Sequence, residues 1–165
     1  MLTSPDFREL LSIFKNNKVR YLIVGGYAVM RYTEPYYTKD LDIWIAADRD
    51  NAERIFKSLK DFGAPLKNLC PDDFAEQGYF YQMGKPPFRV DIMMSIPGIE
   101  FEAAWQSRNE LNLEGLTIYF ISKKDLIQAK RASGRPHDLI DAQNLEKADQ
   151  THSANSGLES DFRKP

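Results

Sequence analysis

The sequence is short of several things, and each shortage excludes something. It has 1 cysteine, Cys70, so no intrachain disulfide can form and a reducing compartment fits. It has no excess of one charge. The 22 Lys and Arg against 24 Asp and Glu leave a net charge of -2, which gives no global pull toward nucleic acid or an anionic membrane. Binding to RNA or DNA would need a local basic patch. No apolar run approaches the roughly 18 residues of a membrane span. The opening "MLTSPDFREL" has early acids and no long apolar segment, so it does not read as a signal peptide. No internal repeat is visible. A soluble, cytoplasmic protein is the expectation.

What is present is the composition of an ordinary globular chain, 42% hydrophobic and 28% charged in 165 residues. That length suits one domain, and folding at this size buries roughly 70% of the unfolded surface. Ser4-Pro5 reads as a helix start, a capping hydroxyl followed by proline, with Phe7, Leu10, Leu11 and Phe14 behind it at helical spacing. "RYLIVGG" reads as a buried strand that stops at two glycines. "YAVMRYT" reads as a short helix ended by Pro35. "DLDIWIA" is a strand with Leu41, Ile43 and Ile45 on one face and Asp40, Asp42 and Trp44 on the other.

"DRDNAERIFKSLKDFG" predicts a helix closed by Gly63, with Ala52, Ile55, Phe56 and Leu59 as its apolar stripe. The following "APLKNLCPDDFAEQ" is less regular. "GYFYQMG" and "FRVDIMM" predict a hairpin, "GIEFEAAWQSR" a short helix, and "NELNLEG" with "LTIYFI" a second strand pair. Ser122 and Asp125 resemble a capping box before "LIQAKRAS", and Gly134 and Pro136 separate that helix from "HDLIDAQNLEK". From about 148 to 165 the chain is polar and aperiodic and is expected to be a disordered tail. The order of elements predicts an α+β fold, a mixed sheet with helices packed on it.

The chemistry centres on residues 21–45, "YLIVGGYAVMRYTEPYYTKDLDIWI". Asp40 and Asp42 are two apart on a strand, so their carboxylates leave one face. The repulsion between them needs an offset, and a divalent cation supplies it. All-oxygen ligation suits Mg²⁺ or Mn²⁺ and not zinc. Asp91, in "FRVDIMM", is a third acid in an otherwise apolar strand. If that strand neighbours the first, three carboxylates converge, and two metal ions about 4 Å apart could then clamp an in-line phosphoryl displacement. Gly25 and Gly26 stand where a strand ends and a helix begins. Free backbone N–H groups meet the helix dipole there, and missing side chains let phosphates approach. Glycines for phosphates and aspartates for metal describe a nucleoside triphosphate site.

This arrangement resembles the signature of the nucleotidyltransferase superfamily of DNA polymerase beta. The signature is a hydrophobic residue, glycine, then glycine or serine, a spacer, and Asp-hydrophobic-Asp-hydrophobic. Here it reads Val24-Gly25-Gly26 and Asp40-Leu41-Asp42-Ile43, with Asp91 as the third acid. "GGYAVMRYTEPYYTKDLDI", "GKPPFRVDIM" and "ISKKDLIQAKRASGRPHDLIDAQNLEK" in that order resemble small bacterial nucleotidyltransferases related to abortive-infection toxins, over roughly residues 19–147. Two departures stand out: Tyr36 where many relatives carry arginine, and Gly26 where the superfamily has a phosphate-binding serine.

The resemblance implies a nucleotidyltransferase fold with a mainly antiparallel sheet. The domain would span 1–147, with a helical extension from about 122 to 147. It also implies roles. Asp40 and Asp42 would hold metal and triphosphate. Asp91 would be a ligand and general base. Gly25, Gly26 and Thr38 would bind the nucleotide, and Lys130 and Arg135 would neutralise phosphate as charge builds. The reaction would be transfer of a nucleoside monophosphate from an NTP to a hydroxyl of RNA, protein or a small molecule, with an antitoxin protein as a partner.

Blander readings stand beside these. Asp40 and Asp42 can be a solvated strand end, and Gly25-Gly26 a plain tight turn. Lys130 and Arg135 can be surface charges meeting Asp138 and Asp141. His137 reads as exposed. Tyr32, Tyr36 and Tyr37 can stack on a base or merely pack. Trp44 and Trp105 read as core, and Cys70 has no role. As a whole, the chain can also be a non-catalytic nucleotide- or partner-binding module, or an antibiotic-modifying enzyme.

Overall fold

The structure, a computed structural model, describes residues 4–158, with side chains described as far as 148. Its helices are α1 (Pro5–Asn16), α2 (Gly25–Tyr32), α3 (Arg49–Phe62), α4 (Phe101–Gln106), α5 (Lys123–Ser133) and α6 (Pro136–Leu158). Its strands are β1 (Tyr21–Val24), β2 (Asp40–Ile45), β3 (Phe80–Met83), β4 (Arg89–Met93), β5 (Asn109–Leu113) and β6 (Leu116–Phe120). A 3-10 turn, Pro71–Ala75, lies in the irregular stretch after α3.

The strands form one 6-stranded sheet in the order β3-β4-β2-β1-β6-β5. The β1–β2, β3–β4 and β5–β6 pairs are antiparallel, and β1–β6 and β2–β4 are parallel. The fold is therefore α+β with a mixed, mainly antiparallel sheet. Strand β1 is buried at all of its positions, which is why its sequence is a continuous apolar run without alternation. Strand β2 alternates as its sequence predicts. Leu41, Ile43 and Ile45 are fully buried, while Asp40 and Asp42 are only partly so. Trp44, on the aspartate face, is buried edge-on against Phe101.

Local chemistry sets the helix ends. Asp48 caps α3 by accepting from Asn51 N at 2.9 Å, and Gly63 closes it in the left-handed region at φ 88°. Asn51 itself is fully buried and stitches α3 to the sheet. It accepts from Arg20 N at 2.8 Å and donates to Arg20 O at 3.0 Å and Ala46 O at 2.8 Å. Ser122 caps α5 through Asp125 N at 3.2 Å. The reciprocal half of the expected capping box is not made, because the Asp125 carboxylate accepts from Ser107 Oγ instead.

Three expectations need correction. Ser4 makes no side-chain cap; its Oγ is buried without a partner, and Pro5 alone starts α1. Helix α2 starts at Gly25, so the two glycines form its first turn and do not precede it. Finally, α6 runs on to Leu158, so 148–158 is helical and not irregular, while 159–165 lie outside the described residues. Between 148 and 156 no proline or glycine interrupts the chain, and extending an established helix is far cheaper than starting one. Among the described residues no helix is long and apolar enough to cross a membrane.

Candidate active site

The parallel pairing of β4 with β2 sets Asp91 opposite Asp42 and Arg89 opposite Asp40. Paired residues share a sheet face, as do residues two apart. The three acids therefore converge, as the sequence required if β4 adjoined β2. Between them comes a residue the sequence reading missed. Arg89 Nη2 donates to Asp40 Oδ2 at 2.8 Å and to Asp91 Oδ2 at 3.1 Å. The other oxygen of each carboxylate, Asp40 Oδ1 and Asp91 Oδ1, is buried with no hydrogen-bond partner.

Asp42 responds to this crowding. Its carboxyl is pushed up to about 7, first by burial and then by the charges of Asp91 and Asp40, against the partial relief of Lys130 and Arg89. The site holds more negative charge than its own cations neutralise. Among the described residues no group of three or more His, Cys, Asp or Glu side chains is arranged to hold a metal ion as it stands; Arg89 takes one oxygen from Asp40 and one from Asp91. The orphaned oxygens and the all-carboxylate donor set still fit a hard divalent cation such as Mg²⁺ or Mn²⁺.

The glycine turn meets the acids directly. Gly25 has φ 64°, and a Cβ there would lie 2.0 Å from Asp42 Oδ2. Only a glycine allows the backbone to approach that carboxylate in this conformation. At Gly26 a Cβ would lie 2.8 Å from Thr38 Oγ1 and 3.2 Å from the Tyr36 hydroxyl. The two hydroxyls thus crowd the place where the superfamily's serine side chain would begin. Burial, then Asp141 and Asp42, push the Tyr36 hydroxyl up to about 12.

Helix α5 and the turn that leads into α6 supply the cations. Lys130 is not a surface charge. Its side chain is 12% exposed, and Nζ lies 2.8 Å from Asp138 Oδ1 and 2.9 Å from Asp141 Oδ2. Burial alone would raise the Asp138 carboxyl, but hydrogen bonds from Lys130, Ser133 and Arg135 outweigh it and lower it to about 2. Arg135 bonds the same carboxylate through Nε at 2.8 Å and stays 77% exposed. His137 is exposed as expected, with Nε2 3.4 Å from Asp141.

All the sequence-predicted site residues line one cleft of ≈ 790 Å³: Gly25, Gly26, Thr38, Asp40, Asp42, Asp91, Lys130 and Arg135. Tyr36 and Tyr37 line it too. Tyr32 is held away from it, its hydroxyl donating to Ile121 O at 2.7 Å. Trp105 is partly buried, with the Arg108 guanidinium 4.1 Å from its ring centre. Cys70 is exposed. Besides Arg89, the sequence reading missed Tyr79 and Phe80, exposed aromatics at the cleft wall. Arg89 was detectable: it precedes Asp91 by two positions on a strand, so it must share the acid's face.

Solved structures with this fold are several. Lincosamide antibiotic adenylyltransferase LnuA with lincomycin bound is 20% identical, with a TM-score of 0.56 over 88% of this chain and 98% of its own. A nucleotidyltransferase from Thermotoga maritima is 18% identical, with a TM-score of 0.57 over 91% and 90%. ANT(2")-Ia in complex with adenylyl-2"-tobramycin is 14% identical, with a TM-score of 0.54 over 94% and 96%. Comparison with curated proteins returns no match. At these identities the likeness is one of fold. Residues 6–152 match the family described as nucleotidyltransferase of unknown function (DUF6036), and the chain belongs to that family.

Proposed function

We infer that the protein is a metal-dependent enzyme that moves a nucleoside monophosphate from an NTP to a hydroxyl acceptor, releasing pyrophosphate, in a cytoplasmic setting. The observation that carries this reading is the convergence of Asp40, Asp42 and Asp91 with two buried oxygens left unpartnered. In the reaction a bond forms between the acceptor oxygen and the α-phosphorus. The bond from that phosphorus to the bridging oxygen of pyrophosphate breaks. Asp91 takes the hydroxyl proton. Mg²⁺ or Mn²⁺, held by Asp40, Asp42 and Asp91, would supply charge neutralisation at the phosphate oxygens.

The chain's own groups do the rest. The backbone N–H groups of the Gly25-Gly26 turn, at the start of α2, meet the terminal phosphates. Thr38 Oγ1, crowded against Gly26, is placed to bond a phosphate oxygen. Arg135, the more exposed of the two cations, has room to meet the leaving pyrophosphate. Lys130, already doubly paired, adds positive potential behind the phosphates.

The resemblance to toxin-related enzymes supports an RNA or protein hydroxyl as acceptor, with an antitoxin as partner. A second reading is a small-molecule acceptor, favoured by two fold neighbours, a lincosamide antibiotic adenylyltransferase with lincomycin bound and ANT(2")-Ia in complex with adenylyl-2"-tobramycin. The test is label transfer. Each α-labelled NTP is incubated with the protein, Mg²⁺ or Mn²⁺, and tRNA, cell-extract protein or small hydroxyl compounds. The expected result is one labelled acceptor class, lost in Asp42→Asn. Metal-dependent NTP binding without turnover on any acceptor would favour a binding module. No binding and no transfer would end the enzyme reading.

A further inference from the structure

Strand β3 is the sheet edge beside β4, and its register pairs Gln82 with Asp91 and Phe80 with Met93. Phe80 therefore stands on the same face as the acids, one alternation beyond Asp91. Phe80 and its neighbour Tyr79 are each 64% exposed and line the cleft. Met93, Ile96 and Pro97 complete this wall. Aromatic rings left open on an edge strand cost solvation and invite wrong pairing unless they are used.

Their place in the cleft says what they are for. Across the sheet the order is β1 with its glycine turn, β2 with Asp40 and Asp42, β4 with Asp91, then β3 with Phe80. An in-line displacement needs the entering and leaving oxygens on opposite sides of phosphorus. With the leaving pyrophosphate at the glycine turn, the acceptor enters from the side of Asp91 and β3. On that side the lining residues include Gly78, Tyr79, Phe80, Met93, Ser95 and Pro97, with no lysine or arginine among the lining residues from 78 to 97; Arg89, the nearby cation, is already paired with Asp40 and Asp91. A nucleic-acid strand needs cations along its phosphates.

The geometry points to an acceptor that is a small hydroxyl compound without phosphate, carrying an apolar or aromatic face that lies on Phe80 and Tyr79. This rests on the nucleotidyl-transfer reading and, of its two acceptor readings, takes the small-molecule one over RNA or protein. Phe80 and Tyr79 are specificity residues; the NTP does not depend on them.

The experiment measures pyrophosphate release and, separately, calorimetric binding of a non-hydrolysable NTP analogue with Mg²⁺. The acceptors are matched: aryl glycosides, macrocyclic and steroidal alcohols on one side, and plain sugars, polyols and a short RNA with a free 3′ hydroxyl on the other. Release is expected with a member of the first group only. Phe80→Ala is expected to raise that acceptor's KM about 10-fold, with Phe80→Leu in between, and to leave the NTP KM within about 2-fold. Preferential use of the RNA, sugars or polyols would overturn the inference. So would an equal rise in the NTP KM, which would put the nucleobase on Phe80, or no release with the first group while the analogue still binds. Loss of analogue binding in the wild-type protein would instead sink the nucleotidyl-transfer reading beneath it.

Discussion

Gly25 and Asp42 are packed so closely that a single added carbon at Gly25 would lie 2.0 Å from Asp42 Oδ2. The glycine of β1–α2 and the aspartate of β2 are therefore one structural unit. The antiparallel register, which pairs Val24 with Asp42, is what brings them together. The glycine turn and the acid pair cannot be altered independently.

Gly25→Ala tests that unit. The substitution meets both the carboxylate and a φ of 64° that side chains rarely adopt. We expect a stability loss of ~1–2 kcal/mol from the backbone term and loss of metal-dependent NTP binding, because Asp42 must move. Thermal unfolding and calorimetry with Mg²⁺ and an NTP analogue measure the two effects. Unchanged nucleotide affinity in a folded variant would show that the contact does not position Asp42.

The Asp42 carboxyl gives a pH dependence of unusual sign. Its folded value of about 7 lies above the ordinary 3.8, raised by burial and then by Asp91 and Asp40. The folded state therefore holds a proton that the unfolded chain has released between these values. The contribution of Asp42 to stability is fully present below 3.8 and is lost as pH rises through about 7. In divalent-free buffer the slope from this group is at most about 1.4 kcal/mol per pH unit. Melting temperatures in EDTA from pH 5 to 8 should fall for the wild type relative to Asp42→Asn, and added Mg²⁺ or Mn²⁺ should restore stability most at the high end. Parallel curves for the two proteins would refute the assignment.

The acids and glycines were legible in the sequence because their signals are local. Period-two spacing puts Asp40 and Asp42 on one face, and a strand-to-helix glycine pair is visible in "YLIVGGYAV". The convergence of Asp91 was legible only as a condition, since adjacency of β4 and β2 is a property of sheet order. The contact of Gly25 with Asp42 was not legible, because it depends on the register of β1 against β2. The state of Lys130 was not legible either. Two helical carboxylates three residues apart, Asp138 and Asp141, signal a cation partner. Whether that cation is exposed depends on how α6 folds back on α5. Phe80 and Tyr79 read as ordinary strand residues, and only the edge position of β3 leaves them open.

Lys130 carries a structural load that its proposed role in phosphate stabilisation would hide in a simple activity assay. Removing its ammonium would leave Asp138 and Asp141, both under a tenth exposed, as buried charges that have lost their main partner. Deleting one partner of a buried ionic group costs on the order of 3–5 kcal/mol. We expect Lys130→Met to unfold at markedly lower temperature, and the triple change Lys130→Met, Asp138→Asn, Asp141→Asn to recover most of that loss, since it removes the stranded charges as well. Activity separates the two roles. If Lys130 only braces α5 against α6, the refolded triple variant transfers nucleotide normally. If its charge also assists the phosphates, stability returns and turnover stays depressed, with kcat lowered more than the KM for NTP.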